Sequence, residues 1–298
     1  MKTSGYVELM PEKCLIVGVT SLVGARLAGA LRADGQGFEA AFTTRRPKRP
    51  DELFFDLAHP ESFDGQGFRQ VIITAPVWLV SEAVLRRLWA QGMKRLVVFS
   101  STSRFSKTFS PEPEERRIAD LLATSEDRIM AFGAIHDVGV TILRPTLIYD
   151  EGRDQNISRI ARFIDKYGVF AVCGQASGLR QPVHARDLAT AALQAVRSDA
   201  AANQAYDLSG GETLSYRDMV VRIFEAKGRS PRIISPPVWI WRLGFGGLGL
   251  IRPGQNLKSN VNMALRMNID LVFDHSSATA DFGYAPQPFR PSFIRPDA

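Results

Sequence analysis

Between a short apolar run, Cys14-Leu-Ile-Val17, and a helical pattern, Leu22, Val23, Leu27, Ala30, Leu31, the chain carries Gly18-Val-Thr-Ser-Leu-Val-Gly24. Glycines at a strand-to-helix turn let backbone N–H groups approach an anion, and the helix N-terminus adds its dipole. That chemistry suits a dinucleotide diphosphate held on Gly18, Thr20, Ser21, Leu22, Val23 and Gly24. Ser21 stands where a middle glycine is usual; it keeps an N–H and gains a hydroxyl, but its Cβ must point away from the ligand. The competing reading is a plain tight turn with close helix packing. The next apolar run, Phe38 to Thr43, leads into Thr44-Arg45-Arg46 with no carboxylate at its tip. An Asp or Glu there would hold a ribose diol, whereas Arg accommodates a 2′-phosphate. Arg45 and Arg46 therefore favour NADP over NAD, against the alternative of a solvated basic loop continued by Lys48 and Arg49.

The elements that must position these residues alternate strand and helix. Gln70 to Thr74, Arg95 to Ser100 and Val140 to Leu143 read as strands, with helices over Trp78 to Ala90 and Glu112 to His136. Strands apolar throughout and separated by helices imply a parallel sheet covered on both faces, an α/β Rossmann doubly wound fold. After Arg144-Pro145 the rhythm changes: Ile157 to Tyr167 and Ala185 to Val196 look helical, and the strands shorten to Ala205–Leu208 and Arg232–Ser235. We expect a dinucleotide-binding Rossmann domain over 12–150. The region 151–298 is expected to hold a smaller C-terminal substrate lobe, with about 180–200 returning to the main sheet.

The whole chain has 298 residues, 45% of them hydrophobic, which suits one large α/β unit with a second lobe and excludes disordered or collagen-like classes. Its net charge of +6 is too mild to argue for nucleic acid. Cys14 and Cys173 form no CxxC pair and no zinc spacing, so no metal is expected, and a reducing compartment fits. With no apolar h-region in Met1 to Lys13, no secretion signal is expected and the cytoplasm is the expected location. The apolar stretch 233–251 is broken by Pro236, Pro237, Arg242 and glycines, so no transmembrane segment is expected. Trp239 and Trp241 could dock on a membrane surface or another subunit; the competing reading is a partly buried helix.

These features carry a resemblance. Gly18-x-x-Ser21-x-x-Gly24, Phe55-Asp56-Leu57, Thr74-Ala75-Pro76, Phe99-Ser-Ser-Thr102, Leu143-Arg-Pro145 with Ile148-Tyr149, and Gln181-Pro-Val-His-Ala-Arg-Asp187 are similar to the extended and atypical short-chain dehydrogenase/reductases, near the nucleotide-sugar epimerases and dehydratases. The resemblance runs from about Cys14 to Tyr284-x-Pro286. It implies that Asp56 and Leu57 hold the adenine, that Thr74, Ala75 and Pro76 run along the cofactor, and that Pro145 and the residues after it approach the nicotinamide. It also implies Thr102 as the hydroxyl that bonds the substrate oxygen, a small-molecule substrate such as a nucleotide sugar, and a homodimer built on the long 112–136 helix.

The same family exchanges a proton through Tyr-x-x-x-Lys, in which the Lys charge lowers the phenol pKa from about 10 toward the working pH. Four residues after Tyr6, Tyr149, Tyr167, Tyr206, Tyr216 and Tyr284 stand Met10, Arg153, Ala171, Gly210, Val220 and Pro288, so the pair is absent. Alignment on Ser125-Glu126 puts Ile118 and Leu122 in its place. Substitute acids and substrate contacts would come from the carboxyl edge of the sheet. The candidates are Tyr149, Asp150, Arg153 and His184, with Arg153, Arg180 and Arg186 suited to a diphosphate; for each, a structural or ion-pair role competes. Two functions follow. One is an NADP-dependent epimerase or reductase with a non-standard catalytic set. The other is a catalytically inactive NAD(P)-binding structural or redox-sensing protein.

Overall fold

The computed structural model describes residues 12–34, 38–237 and 264–293. The run before Gly18 forms β1 (Glu12–Val17), with Cys14 to Val17 buried, and leads through the turn into α1 (Leu22–Asp34). Next come β2 (Phe38–Thr44), β3 (Glu52–Phe54), β4 (Gln70–Ile73), α2 (Glu82–Ala90), β5 (Arg95–Phe99), the short α3 (Ser103–Ser106), α4 (Pro113–His136) and β6 (Gly139–Pro145). The second half adds β7 (Ile148–Tyr149), α5 (Ile157–Tyr167), β8 (Phe170–Ala171), β9 (Leu179–Arg180), β10 (Val183–His184), α6 (Ala185–Arg197) and β11 (Gln204–Leu208). It ends with β12 (Leu214–Ser215), α7 (Tyr216–Ala226), β13 (Ile233–Ile234) and α8 (Ser276–Phe282).

The main sheet has the order β11-β6-β5-β4-β1-β2-β3, and every pairing in it is parallel. This is the expected doubly wound α/β arrangement. Because side chains alternate along a strand, Ile16, Ile72, Val97 and Leu143 face Leu27 of α1 and Leu188 of α6. Leu15, Val71, Val98 and Ile142 face Leu85 of α2 and Ile129 of α4 on the other side. The chain goes from β1 outward to β2 and β3, then crosses back to place β4 on the other flank of β1. The strand order therefore reverses between the carboxyl ends of β1 and β4, where open α/β sheets bind ligands.

Two local departures from the sequence reading have physical causes. The helix expected from Trp78 is a 3₁₀ turn, Val77–Leu79, followed by α2, because Ser81 caps the new start by accepting from Val84 N at 3.3 Å. The three-residue β3 is too short to show a period, and it exists by pairing with the edge of β2. The chain returns to the sheet as α6 on one face and then as β11, which pairs with β6 over Gln204 to Leu208. Beyond the sheet, α5 and α7 pack Ile160, Ile164, Val220 and Phe224 into a separate core. Among the described residues no helix is long and apolar enough to cross a membrane, and residues 238–263, with Trp239 and Trp241, lie outside them.

Candidate functional site

The turn after β1 is closed by its own polar groups. Gly18 sits at φ +91°, a backbone conformation that glycine tolerates, and its carbonyl oxygen accepts from Ser21 N at 3.0 Å. Thr74 Oγ1, at the end of β4, lies 2.8 Å from that same oxygen and 3.1 Å from Val17 O, tying the two strand ends together. Ser21 Oγ accepts from Gly24 N at 2.9 Å and so caps α1. A Cβ on Gly24 would overlap the Gly18 carbonyl oxygen, so the second glycine serves the close approach of helix and turn. The Ser21 N–H, expected from sequence as a ligand donor, is instead turned inward onto Gly18. The N–H groups of Leu22 and Val23 remain, in the first turn of the helix where no intrahelical acceptor exists, and both residues line a cleft.

That cleft, of about 330 Å³, follows the reversal point. Its walls are Ser21 to Val23, Thr74 to Trp78 after β4, Phe99 to Ser101 after β5, Leu122 of α4, and Pro145 and Ile148. Thr74, Ala75, Pro76 and Pro145 are thus brought together with the glycine turn. Thr102 is 6% exposed and is not among these walls; its Oγ1 donates to Pro145 O at 3.2 Å. Leu122, buried on α4, presents carbon to the cleft, and half-buried Ile118 packs against the same core. No tyrosine among the described residues lines the cleft.

At the tip of β2, Arg45 and Arg46 are exposed. The nearby carboxylates are engaged elsewhere: Asp51 accepts from Arg32 Nε at 2.7 Å and Glu52 from Arg32 Nη2 at 3.2 Å. The Arg32 hydrogen bond holds the Asp51 carboxyl below its ordinary value. Asp56 folds over a turn, with its N–H on Ser62 Oγ at 3.1 Å and its Oδ1 accepting from Ala58 N, and Leu57 is half-buried against the core.

Sequence reasoning missed a charged cluster behind the cleft. Glu126 of α4 is 1% exposed, and its Oε2 accepts from Arg104 Nη1 at 2.5 Å and from Arg144 Nη2 at 2.6 Å. Its Oε1 accepts from Ser100 Oγ at 2.5 Å. A signal for it was present, since Glu126 falls on the buried stripe of Ala119, Leu122 and Ile129, where a carboxylate requires partners.

The candidates at the start of the second half come together, but largely around one another. Asp150, fully buried, accepts from Arg26 of α1 at 2.9 and 2.5 Å, with Arg153 Nη1 at 3.4 Å and His184 Nε2 at 3.9 Å. Arg26 also reaches Glu151 Oε2 at 2.7 Å. His184 Nδ1 accepts from Arg186 N at 3.0 Å and caps α6; burial pushes its imidazole pKa down, against the pull of Asp150. Tyr149 is buried, edge-on to His184 and Phe289, with its oxygen accepting from Arg290 N at 3.3 Å, and burial raises its pKa. Arg180 is apart from them. Its guanidinium donates to Leu179 O, Ile269 O and Arg266 O at 2.6 to 2.7 Å, so the group expected to meet a diphosphate holds backbone instead.

No protein-family model matches the chain. A UDP-glucose 4-epimerase of Vibrio cholerae is 21% identical over 277 residues, covering 80% of this chain and 83% of that protein. The Thermus thermophilus UDP-glucose 4-epimerase, solved as its complex with NAD, superposes with a TM-score of 0.62 at 19% identity over 92% of this chain and 94% of that one. The Thermotoga maritima UDP-glucose 4-epimerase, solved with UDP-glucose, gives 0.65 at 14% identity over 92% and 93%. With its parallel sheet, its glycine turn at the reversal point and the cleft that follows it, the chain has the fold of the UDP-glucose 4-epimerases on which it superposes.

Proposed function

We propose that the protein is a nicotinamide-dinucleotide-dependent enzyme acting on a nucleotide sugar, of epimerase or reductase type, with NADP as its cofactor and a non-standard catalytic set. The observation that carries this reading is the self-closed Gly18–Gly24 turn, which places Leu22 and Val23, whose N–H groups lie in the first turn of α1 without a helix acceptor, along the cleft. The relatives' bound NAD and UDP-glucose support the two ligand classes. Exposed Arg45 and Arg46, with Asp51 and Glu52 turned toward Arg32, support a 2′-phosphate contact. In this reading residues 12–150 serve the cofactor and residues 151–298 the substrate. The bound nicotinamide supplies reversible hydride acceptance at a sugar carbon. Water takes the proton, since Asp150 and Tyr149 are held by Arg26 and Arg290, and buried Thr102, whose proton goes to Pro145 O, stands off the cleft walls.

A second reading, a catalytically silent holder of the dinucleotide, is favoured by one observation: carbon of Leu122 lines the cleft where proton exchange would need Tyr and Lys. Titration of NADPH and NADH by nicotinamide fluorescence tests the cofactor. Arg45→Ala with Arg46→Ala is expected to weaken NADPH roughly tenfold or more, the scale of a charge-assisted contact, and to leave NADH nearly unchanged. Equal losses refute the NADP assignment. Adding a panel of nucleotide sugars to the loaded protein then separates the readings, because binding with no change of reduction state across the panel selects the silent holder.

A further inference from the structure

The wall of the cleft at the end of β5 has a fixed hydrogen-bond polarity. Ser100 Oγ lies 2.5 Å from Glu126 Oε1, and the other oxygen of that carboxylate is taken by Arg104 and Arg144. A carboxylate accepts and does not donate, so the Ser100 proton points to Glu126 and the hydroxyl offers the cleft only its lone pair. The next residue is the reverse: Ser101 Oγ accepts from Ser103 N at 3.1 Å, and its proton has no acceptor among the described residues. Both serines line the cleft. An acceptor and a donor on adjacent residues match vicinal hydroxyls, and an acceptor-only Ser100 disfavours a carbonyl or ether oxygen at that point.

The strand order says which hydroxyls these are. Arg45 and Arg46 follow β2, on one flank of β1, and Ser100 follows β5, beyond β4 on the other flank. A dinucleotide with its diphosphate on Leu22 and Val23 and its adenosine half toward Arg45 brings its second ribose toward Ser100. We infer that Ser100, oriented by Glu126, accepts a hydrogen bond from a hydroxyl of the cofactor's nicotinamide-side ribose, beside the carbon surface of Leu122. The inference rests on the cofactor reading above.

The test titrates the full chain with NADPH, with 2′,5′-ADP, which lacks the second ribose, and with UDP-glucose added to the NADPH-loaded protein. Ser100→Ala is expected to weaken NADPH roughly three- to tenfold, the scale of one lost hydrogen bond, and to leave 2′,5′-ADP unchanged. Equal weakening of both ligands would mean general damage to the cleft and overturns the assignment, as does no change in either. Unchanged NADPH with weakened UDP-glucose would move the hydroxyl to the substrate and also overturns it. Wild-type protein that binds neither NADPH nor NADH refutes the cofactor reading itself, before any variant is made.

Discussion

Removing Arg26 tests whether the second half of the chain is anchored to the helix behind the glycine turn. Its guanidinium gives Asp150 Oδ1 two hydrogen bonds, at 2.9 and 2.5 Å, and reaches Glu151 Oε2 at 2.7 Å. Asp150 is fully buried and the Arg26 side chain is 20% exposed. Stranding one partner of a buried ion pair costs about 3–5 kcal/mol. Arg153 at 3.4 Å stays near Asp150 and offsets part of that, so Arg26→Ala is expected to lose about 2–3 kcal/mol. Urea unfolding at pH 7, followed by tryptophan fluorescence, measures the loss. Its pH dependence carries a sign. Burial raises the Glu151 carboxyl, but the hydrogen bond and charge of Arg26 outweigh it and leave the carboxyl below its ordinary value of 4.5. A depressed carboxyl contributes stability that is present above pH 4.5 and is lost as pH falls through the folded value. The gap between wild type and Arg26→Ala is therefore widest at neutral pH and narrows below about 4.5. A loss under about 0.5 kcal/mol, the scale of an ordinary surface substitution, refutes the reasoning. So does a gap that stays constant across that range.

Gly24→Ala would drive its Cβ into the Gly18 carbonyl oxygen and to 2.7 Å from Thr74 Oγ1. It is expected to cost about 1–3 kcal/mol and to abolish NADPH binding, with calorimetric titration as the check. Arg180→Ala frees three carbonyls, on Leu179, Arg266 and Ile269; limited proteolysis should then cut faster near residues 266–270, with cofactor affinity unchanged.

Much of the frame was legible in the sequence because it depends on local pattern. The apolar run before Gly18 and the glycine pair each lie within a few residues of the turn they build. The missing Tyr-x-x-x-Lys was equally legible, since it is a spacing. What was hidden depends on partners far apart in the chain. Glu126 meets Ser100, Arg104 and Arg144 because parallel β5 and β6 bring their carboxyl ends to α4. Asp150 looked like a solvated or reactive carboxylate until α1 set Arg26 against it from 124 residues away. Arg180 could not be distinguished from a ligand-binding arginine, because its acceptors are main-chain oxygens that leave no mark on side-chain identity.

The position of β11 has a consequence for synthesis. Strand β6 ends at Pro145, but the strand that covers its open side does not begin until Gln204, so about sixty residues must leave the ribosome before the sheet is closed on that flank. During that interval Val140, Ile142 and Leu143 sit on an exposed strand edge, the kind of surface that pairs with other nascent chains. The Thr141 hydroxyl, which donates to Ala201 O at 2.6 Å, also lacks its partner until then. At a synthesis rate of roughly 5–20 residues per second the edge stays open for several seconds, long enough for a chaperone to be the first molecule to cover it.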